Sequence, residues 1–262
     1  MSTTPTLSSP MEALQLAGKI IMENGGETYR AEETICRMGS GFGLSEVESF
    51  AVPTGLFISY RNEEGTLETS IKRVRRQGRN LTRVNEANRV SRLVAAGQMD
   101  CADALKTLQE IEKMPGNFRK GWSIPAAFLC AAGFAALFGG TWYDMAGAGL
   151  VAMVVQLVTI ANERAHMRWI ATAIVGGFLT TLLPHLLQNL TGLLQTEATI
   201  AGAVMPLVPG LAMTNAVQDA VRGDMLSGMS HGAQALLTAC MIAGGALMAA
   251  LLMRMVTGGV LL

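Results

Sequence analysis

Three polar side chains follow a pair of prolines in an apolar part of the chain. The stretch from Met205 to Asp224 reads MPLVPGLAMTNAVQDAVRGD. Asn215, Asp219 and Arg222 are spaced i, i+4 and i+7, so they share one face if a helix resumes after Gly210. The amide can donate and accept hydrogen bonds, the carboxylate can carry a proton or meet a cationic amine, and the guanidinium can bind a carboxylate. This face predicts a site for a small polar molecule.

Pro206, Pro209 and Gly210 predict a break in the helix just before that face. A proline inside a membrane helix removes a backbone hydrogen bond, and in lipid the freed carbonyl has no water to turn to. Such breaks persist where the exposed backbone is buried in protein or lines a polar cavity. Discontinuous helices commonly build the substrate sites of transporters, so these residues join the candidate substrate-binding and coupling set.

A structural alternative explains the same charges. Asp219 can pair with Arg222 and cap the cytoplasmic end of the span, and the sequence leaves both interpretations open. Asp224 follows a glycine and is typical of a loop or capping residue, although it belongs to the candidate set. His231 follows the same segment, and a lone histidine is more often a hydrogen-bonded structural residue than a proton relay.

The elements that carry these residues follow from a change of composition at Lys120. Of the 20 Lys and Arg residues, 16 lie at or before Lys120, together with 15 of the 20 acids. This nearly neutral first part excludes general nucleic-acid binding. Five runs without Asp, Glu, Lys or Arg follow, each about 17 to 21 residues long, as a hydrocarbon core of about 30 Å requires. They predict five transmembrane helices, at 122–140, 145–161, 169–187, 198–217 and 233–253.

The orientation follows from basic residues in the short loops, since Lys and Arg are retained in the cytoplasm. Arg164, Arg168 and Arg222 fall on the same side as the basic N-terminal part, which is therefore predicted to be cytoplasmic. The first ten residues lack the basic and apolar regions of a cleaved signal peptide. We expect a disordered segment at 1–10, a cytoplasmic α+β domain at 11–120 and an all-α transmembrane domain at 121–262.

The cytoplasmic part predicts four helices and a hairpin. Apolar spacing favours a helix from Pro10 and others over about 28–38, 81–96 and 101–114. Between them, SFAVPTGLFISY and TLETSIKRV are rich in strand-forming residues and are separated by the turn RNEEG, which predicts a hairpin with Pro53 at a strand edge or bulge.

The stretch NGGETYRAEET, near the end of the first helix, is dense in glycine and charge. It contains Gly26, Glu27, Tyr29 and Arg30. Glu27 and Arg30 are three residues apart on the predicted helix, a spacing that usually gives a weak surface ion pair. Taken alone, this stretch suggests no function.

One enzymatic hypothesis requires a test. Tyr143–Asp144 and Gly223–Asp224 resemble the paired aspartates of intramembrane aspartyl proteases. Val221 stands where that family has a glycine, and the predicted topology puts the two aspartates on opposite sides of the membrane, where they cannot act as a dyad. No zinc-protease, nucleophile-elbow or P-loop pattern is present. We expect a transporter without enzymatic activity, cofactor or metal.

Several motifs together resemble the threonine/serine exporter family, specifically the YjjP-like larger subunit of a split exporter. They are NGGETYRAEET, the run GAVMPLVPGLAMTNAVQDAVRGDMLSG, and a soluble domain preceding five spans. The resemblance covers the chain from about Met11 to its end. It implies a bacterial inner-membrane exporter of small metabolites, either threonine and serine or dicarboxylates such as succinate.

The resemblance also implies a partner. Fused members continue into a second membrane half, so we expect a separately encoded small multi-span subunit and an oligomeric assembly in the bilayer. The predicted mechanism is alternating access around the broken fourth helix. The alternative function is a membrane-anchored sensor or scaffold that acts through its cytoplasmic domain.

Overall fold

The computed structural model describes residues 9–62, 64–75, 78–115, 120–165 and 169–256. They form two compact units. The first unit combines the described residues up to 115 with Leu211–Gly232, and the second combines those from 120 to Gly210 with those from Ala233 onward. The segment that carries Asn215 and Asp219 therefore folds with the N-terminal part, a grouping that composition along the chain does not reveal.

Four helices of the first unit precede the membrane-like sequence. They begin where the sequence offers good starts: Pro10 occupies the first helical position of α1, where its missing N–H costs nothing. The Asn80 side chain accepts from the Arg83 N–H at the start of α3, and the Asp100 side chain accepts from the Asp103 N–H at the start of α4. The helices are α1 (Pro10–Glu23), α2 (Thr28–Gly41), α3 (Leu81–Ala95) and α4 (Cys101–Lys113).

The strands form a three-stranded antiparallel sheet in the order β1-β2-β3 rather than a two-stranded hairpin. They are β1 (Ser45–Val52), β2 (Gly55–Arg61) and β3 (Leu67–Arg73). Val52 pairs with Gly55, so Pro53 lies in the two-residue turn between β1 and β2 and not at a strand edge or bulge. The fixed backbone angle of proline and its missing N–H suit such a turn, which explains this correction.

The core of the first unit contains residues from its helices and from its sheet. Leu14 and Ile21 of α1, Ile35 of α2 and Ile58 of β2 are almost completely buried, as is Leu108 of α4. The buried set forms one cluster, so α1 and α2 are held by burial of apolar surface on the sheet and on the other helices.

The apolar sequence forms helices that only partly match the five predicted spans. They are α5 (Ser123–Leu137), α6 (Trp142–Arg164), α7 (Trp169–Thr191), α8 (Thr196–Val204), α9 (Gly210–Val221) and α10 (Met225–Val256). Within the described residues, three helices are long and apolar enough to cross a membrane, and four if the bent pair of α8 and α9 counts as one broken span. α5 has 15 residues. The protein is thus mainly helical, with three to four candidate spans and a small sheet.

Asp144 of the second unit is fully buried, although its place between two predicted spans suggests an interface residue. It lies in the first turn of α6, where one carboxylate oxygen accepts from the backbone N–H and the hydroxyl of Thr141 at 2.6 and 2.7 Å. The other oxygen accepts from the Gln195 N–H and from the Thr199 hydroxyl. Four donors thus compensate the buried charge and tie the start of α6 to that of α8.

Candidate functional site

The structure contains the helix interruption that the prolines predict. α8 ends at Val204, a 3₁₀ turn covers Met205–Leu207, and α9 begins at Gly210. Pro206 lies in the 3₁₀ turn and Pro209 in the link that follows, where it is buried. Inside this break the Val208 N–H donates to the carbonyl of Met205. These residues belong to the second unit, whereas the polar face that follows belongs to the first.

The polar face of α9 is buried at two of its positions. Asn215 is 7% exposed and Asp219 is 1% exposed. Between them, the side-chain oxygen Oε1 of Gln218 is buried and has no hydrogen-bond partner among the described residues. A buried acceptor without a donor is costly, so this face is suited to a ligand that supplies an N–H or O–H.

Asp219 is bound by two side chains from elsewhere in the first unit. Its Oδ1 accepts from the Thr28 hydroxyl at 2.9 Å, and its Oδ2 lies 2.9 Å from Nδ1 of His231 on α10. Within the described part of the chain, no ion pair joins Asp219 to Arg222. The alternative in which these two residues form a capping pair is therefore not what the structure shows.

Asp224 does two things at the start of α10. Its Oδ1 accepts from the Ser227 N–H at 3.1 Å, so Asp224 caps the helix as its position after Gly223 predicts. Its Oδ2 lies 3.2 Å from the Thr28 hydroxyl oxygen. Thr28, which is completely buried, therefore contacts both aspartates of this region.

Glu32 is a third carboxylate at the same place. It lies one turn after Thr28 on α2, and its Oε1 accepts from the Ala51 N–H at 2.7 Å. Burial raises the pKa of the Glu32 carboxyl above its ordinary value; the N–H of Ala51 opposes the rise, and the neighbouring Asp224 and Asp219 add to it. The Ser227 hydroxyl donates to the Ala51 carbonyl at 3.4 Å, so Ala51 joins Glu32 to α10.

The NGGETYRAEET residues surround this cluster in different ways. The Arg222 guanidinium carbon lies 3.3 Å from the centroid of the Tyr29 ring. Arg30 donates to Glu27 at 2.8 Å, which is the expected ion pair, and this hydrogen bond raises the pKa of Arg30. Gly26 is a packing residue, since a Cβ there would lie 2.5 Å from Cγ2 of Ile21.

Sequence reasoning missed Thr28 and Glu32, and it read His231 as structural. Thr28 and Glu32 are spaced i, i+4 inside NGGETYRAEET, which places them on one helix face. That spacing was the only signal, because nothing local indicates that α9 and the start of α10 pack against α2. Among the residues described, no group of three or more His, Cys, Asp and Glu side chains is arranged to hold a metal ion.

Comparisons with known proteins bear on what this cluster does. A family model described as "Putative threonine/serine exporter" matches residues 12–253. The "Probable succinate transporter subunit YjjP" of Klebsiella aerogenes is 26% identical over 234 residues, which cover 87% of this chain and 88% of that protein. The protein of the same name in Escherichia coli is 23% identical over 233 residues, or 88% and 90% of the two chains.

A longer relative also matches. The "Probable threonine/serine exporter" of Mycobacterium tuberculosis is 23% identical over 228 residues, which cover 86% of this chain and 43% of that protein. This chain therefore aligns with less than half of the mycobacterial protein. No solved structure matches.

Proposed function

Because the chain belongs to the threonine/serine exporter family, we propose that it is the larger subunit of a secondary exporter of small metabolites in the bacterial inner membrane. The observation that carries this proposal is the buried Asp219, which lies on the helix that resumes after the proline break and is bound by Thr28 and His231. Ionisable groups on apolar helices are costly and mark substrate or proton sites in transporters.

The proposed mechanism is alternating access around the broken fourth span. The interruption at Pro206, Pro209 and Gly210 breaks the regular pattern of helical hydrogen bonds, and the half-helix ends supply partial charges for a substrate. Asn215 holds the substrate, and Asp219 couples its movement to a proton or to charge. Arg222 and Asp224 border this region in the sequence and complete the proposed set.

The charges of the first unit favour a substrate with an ammonium group. Glu32, Asp219 and Asp224 are acidic, and the buried Oε1 of Gln218, which receives no hydrogen bond from the part of the chain that the structure describes, is a further acceptor. Arg222 is the cation that a dicarboxylate would need, and its guanidinium stacks on Tyr29. We therefore rank a hydroxy amino acid such as threonine or serine above succinate as the exported molecule.

The finer topology belongs to the same proposal. Five spans require the short α5 and the bent pair of α8 and α9 to cross together with α6, α7 and α10. Arg164 and Arg222 then face the cytoplasm with the N-terminal domain. The word "subunit" in the names of two relatives supports a separately encoded multi-span partner, with which this chain forms an oligomer.

The test is efflux from cells that express this chain with the small membrane subunit. Cells are loaded with threonine or with succinate, and the medium is profiled. Asp219→Asn is expected to reduce export at least about tenfold, as loss of an essential proton-binding group does. Asp103→Asn, which changes an exposed acid on α4, is the matched control. An Asp219→Asn protein that inserts normally and exports at the wild-type rate overturns the coupling role.

Pro206→Ala and Asn215→Ala separate a transporter from a sensor or scaffold. A transporter loses export when the helix break or the amide is removed. A sensor keeps its function in both variants, and its cytoplasmic domain binds a partner or ligand without the membrane helices.

A further inference from the structure

The Thr28 hydroxyl has more acceptors than it has hydrogens. Its oxygen lies 2.9 Å from Oδ1 of Asp219 and 3.2 Å from Oδ2 of Asp224. A hydroxyl carries one hydrogen, which it can give to one carboxylate, and carboxylates without a proton only accept. The second contact becomes a full hydrogen bond when one aspartate carries a proton and donates it to the hydroxyl oxygen.

The surrounding charges also favour an added proton. Glu32 stands on the same face of α2 as Thr28, and the pKa of its half-buried carboxyl is raised first by burial and then by the charges of Asp224 and Asp219. Nδ1 of His231 lies 2.9 Å from Oδ2 of Asp219. The nearby cation, Arg222, stacks on Tyr29, and no ion pair joins it to an aspartate among the described residues. The donor that Glu32 has is the backbone N–H of Ala51, which carries no net charge.

We propose that Asp219 and Asp224 share one proton through the Thr28 hydroxyl, which bridges them, and that the nearby Glu32 carboxylate favours this proton. The proton is taken from water, binds one carboxylate oxygen and later returns to water, so no other covalent bond forms or breaks. In coupled groups such a proton belongs to the set rather than to one residue. This places the coupling site partly on α2 of the N-terminal domain, and it rests on the proposed exporter function for the use made of the proton.

Loss of the proton has a defined consequence in this geometry. Three adjacent carboxylates repel one another, and Thr28 keeps a hydrogen bond to only one aspartate. The Ser227 and Ala51 contacts tie α2, β1 and α10 to the same cluster, so separation of α2 from the start of α10 relieves the repulsion. Protonation thus stabilises the packed arrangement of the first unit.

Proton binding is measured without transport, by infrared titration of the purified full-length protein in detergent. The carbonyl band of protonated carboxyl groups is followed against pH. The wild type is expected to keep one carboxyl protonated after the exposed acids have ionised. Glu32→Gln removes a neighbouring negative charge, so the midpoint of the remaining proton is expected to fall by about 1 pH unit.

Thr28→Val keeps the shape of the side chain but removes the bridge, and it is also expected to lower the midpoint. Thr28→Ser retains the hydroxyl and is expected to titrate as the wild type does. Glu33→Gln is the matched control, because Glu33 follows Glu32 on α2 and pairs with Arg37 near the surface. Size-exclusion chromatography identifies any variant that has lost its fold.

Three results overturn the shared proton. The first is that no carboxyl group stays protonated at a pH where the exposed acids have ionised. The second is that Glu32→Gln and Glu33→Gln titrate with equal midpoints. The third is that Thr28→Val and Thr28→Ser titrate with equal midpoints. If no carboxyl group stays protonated but efflux is normal, the shared proton is overturned and the exporter function is not. The opposite result is also informative. If the titration shows a proton whose midpoint shifts in Glu32→Gln, but cells that co-express this chain with the small subunit export nothing, the shared proton is supported and the exporter function is overturned.

Discussion

The guanidinium of Arg222 stacks on the ring of Tyr29, with its central carbon 3.3 Å from the ring centroid. This contact joins the loop between α9 and α10 to the first turn of α2. It lies next to the two hydrogen-bond contacts of Thr28 with Asp219 and Asp224. Arg222 therefore helps to hold the carboxylates against α2 rather than neutralising Asp219 directly.

The stack predicts coupled effects on stability. A cation over an aromatic face contributes about 0.5 to 2 kcal/mol, so Tyr29→Leu and Arg222→Gln should each lower the free energy of unfolding by about that amount. The double variant should lose less than the sum of the two, because both changes remove one interaction. Denaturant unfolding in detergent measures the cycle. Tyr29→Phe, which keeps the ring, is the control, and strictly additive effects would contradict the stack.

Glu32 predicts a pH dependence of stability. Its pKa is raised in the folded protein, so its favourable contribution is complete below the ordinary glutamate pKa and is lost as pH rises through the raised value. Glutamine resembles the protonated form at every pH. Glu32→Gln should therefore melt at a higher temperature than the wild type at neutral pH and at a similar one in acid.

Thermal unfolding at a series of pH values checks this prediction, with Glu33→Gln as the control. The control should follow the wild-type curve, since its carboxylate is partly exposed and paired with Arg37. If Glu32→Gln is destabilised equally at all pH values, the carboxyl serves packing and hydrogen bonding but binds no proton in this range.

The helix break could be predicted from the sequence because its cause is local. Pro206, Pro209 and Gly210 disturb backbone hydrogen bonds within one or two turns, and their effect does not depend on distant residues. The apolar runs were also predictable, since burial in lipid demands length and composition alone. Their exact ends were not: α10 starts at Met225, ahead of the predicted 233, because the stretch from Ser227 to His231, although it contains two serines, a glycine and a histidine, is helical in the structure.

The carboxylate cluster could not be predicted, because its contacts join distant parts of the chain. Thr28 meets Asp219 across 191 positions. Spacing along α9 placed Asn215 and Asp219 on one face but did not show what packs against it. The same spacing favoured a local Asp219–Arg222 pair equally well, and tertiary contacts with His231 and Tyr29 decided against it.

The buried contacts of Asp144 predict that its substitution impairs folding and stability rather than transport. Asparagine would direct an N–H₂ group at donors that now meet a carboxylate, and hydrogen bonds to a charged group contribute about 1.5 to 3 kcal/mol. Asp144→Asn should lower the melting temperature and the amount of inserted protein. Glu197→Gln, at an exposed position in the first turn of α8, should leave both unchanged. An Asp144→Asn protein with normal stability but no export would instead point to a role in transport.

Two glycines of the second unit predict a size limit between α7 and α10. A Cβ at Gly177 would lie 2.0 Å from the carbonyl oxygen of Ile242, and a Cβ at Gly245 would lie 2.0 Å from that of Ile174. Backbone cannot move aside as a side-chain tip can, and small residues let membrane helices approach this closely. Gly177→Ala and Gly245→Ala should each force the helices apart and reduce thermal stability and yield. Gly244→Ala is the matched control, because a Cβ there meets nothing within 4 Å. Equal yields and melting temperatures for Gly245→Ala and Gly244→Ala would show that α7 and α10 do not pack backbone to backbone.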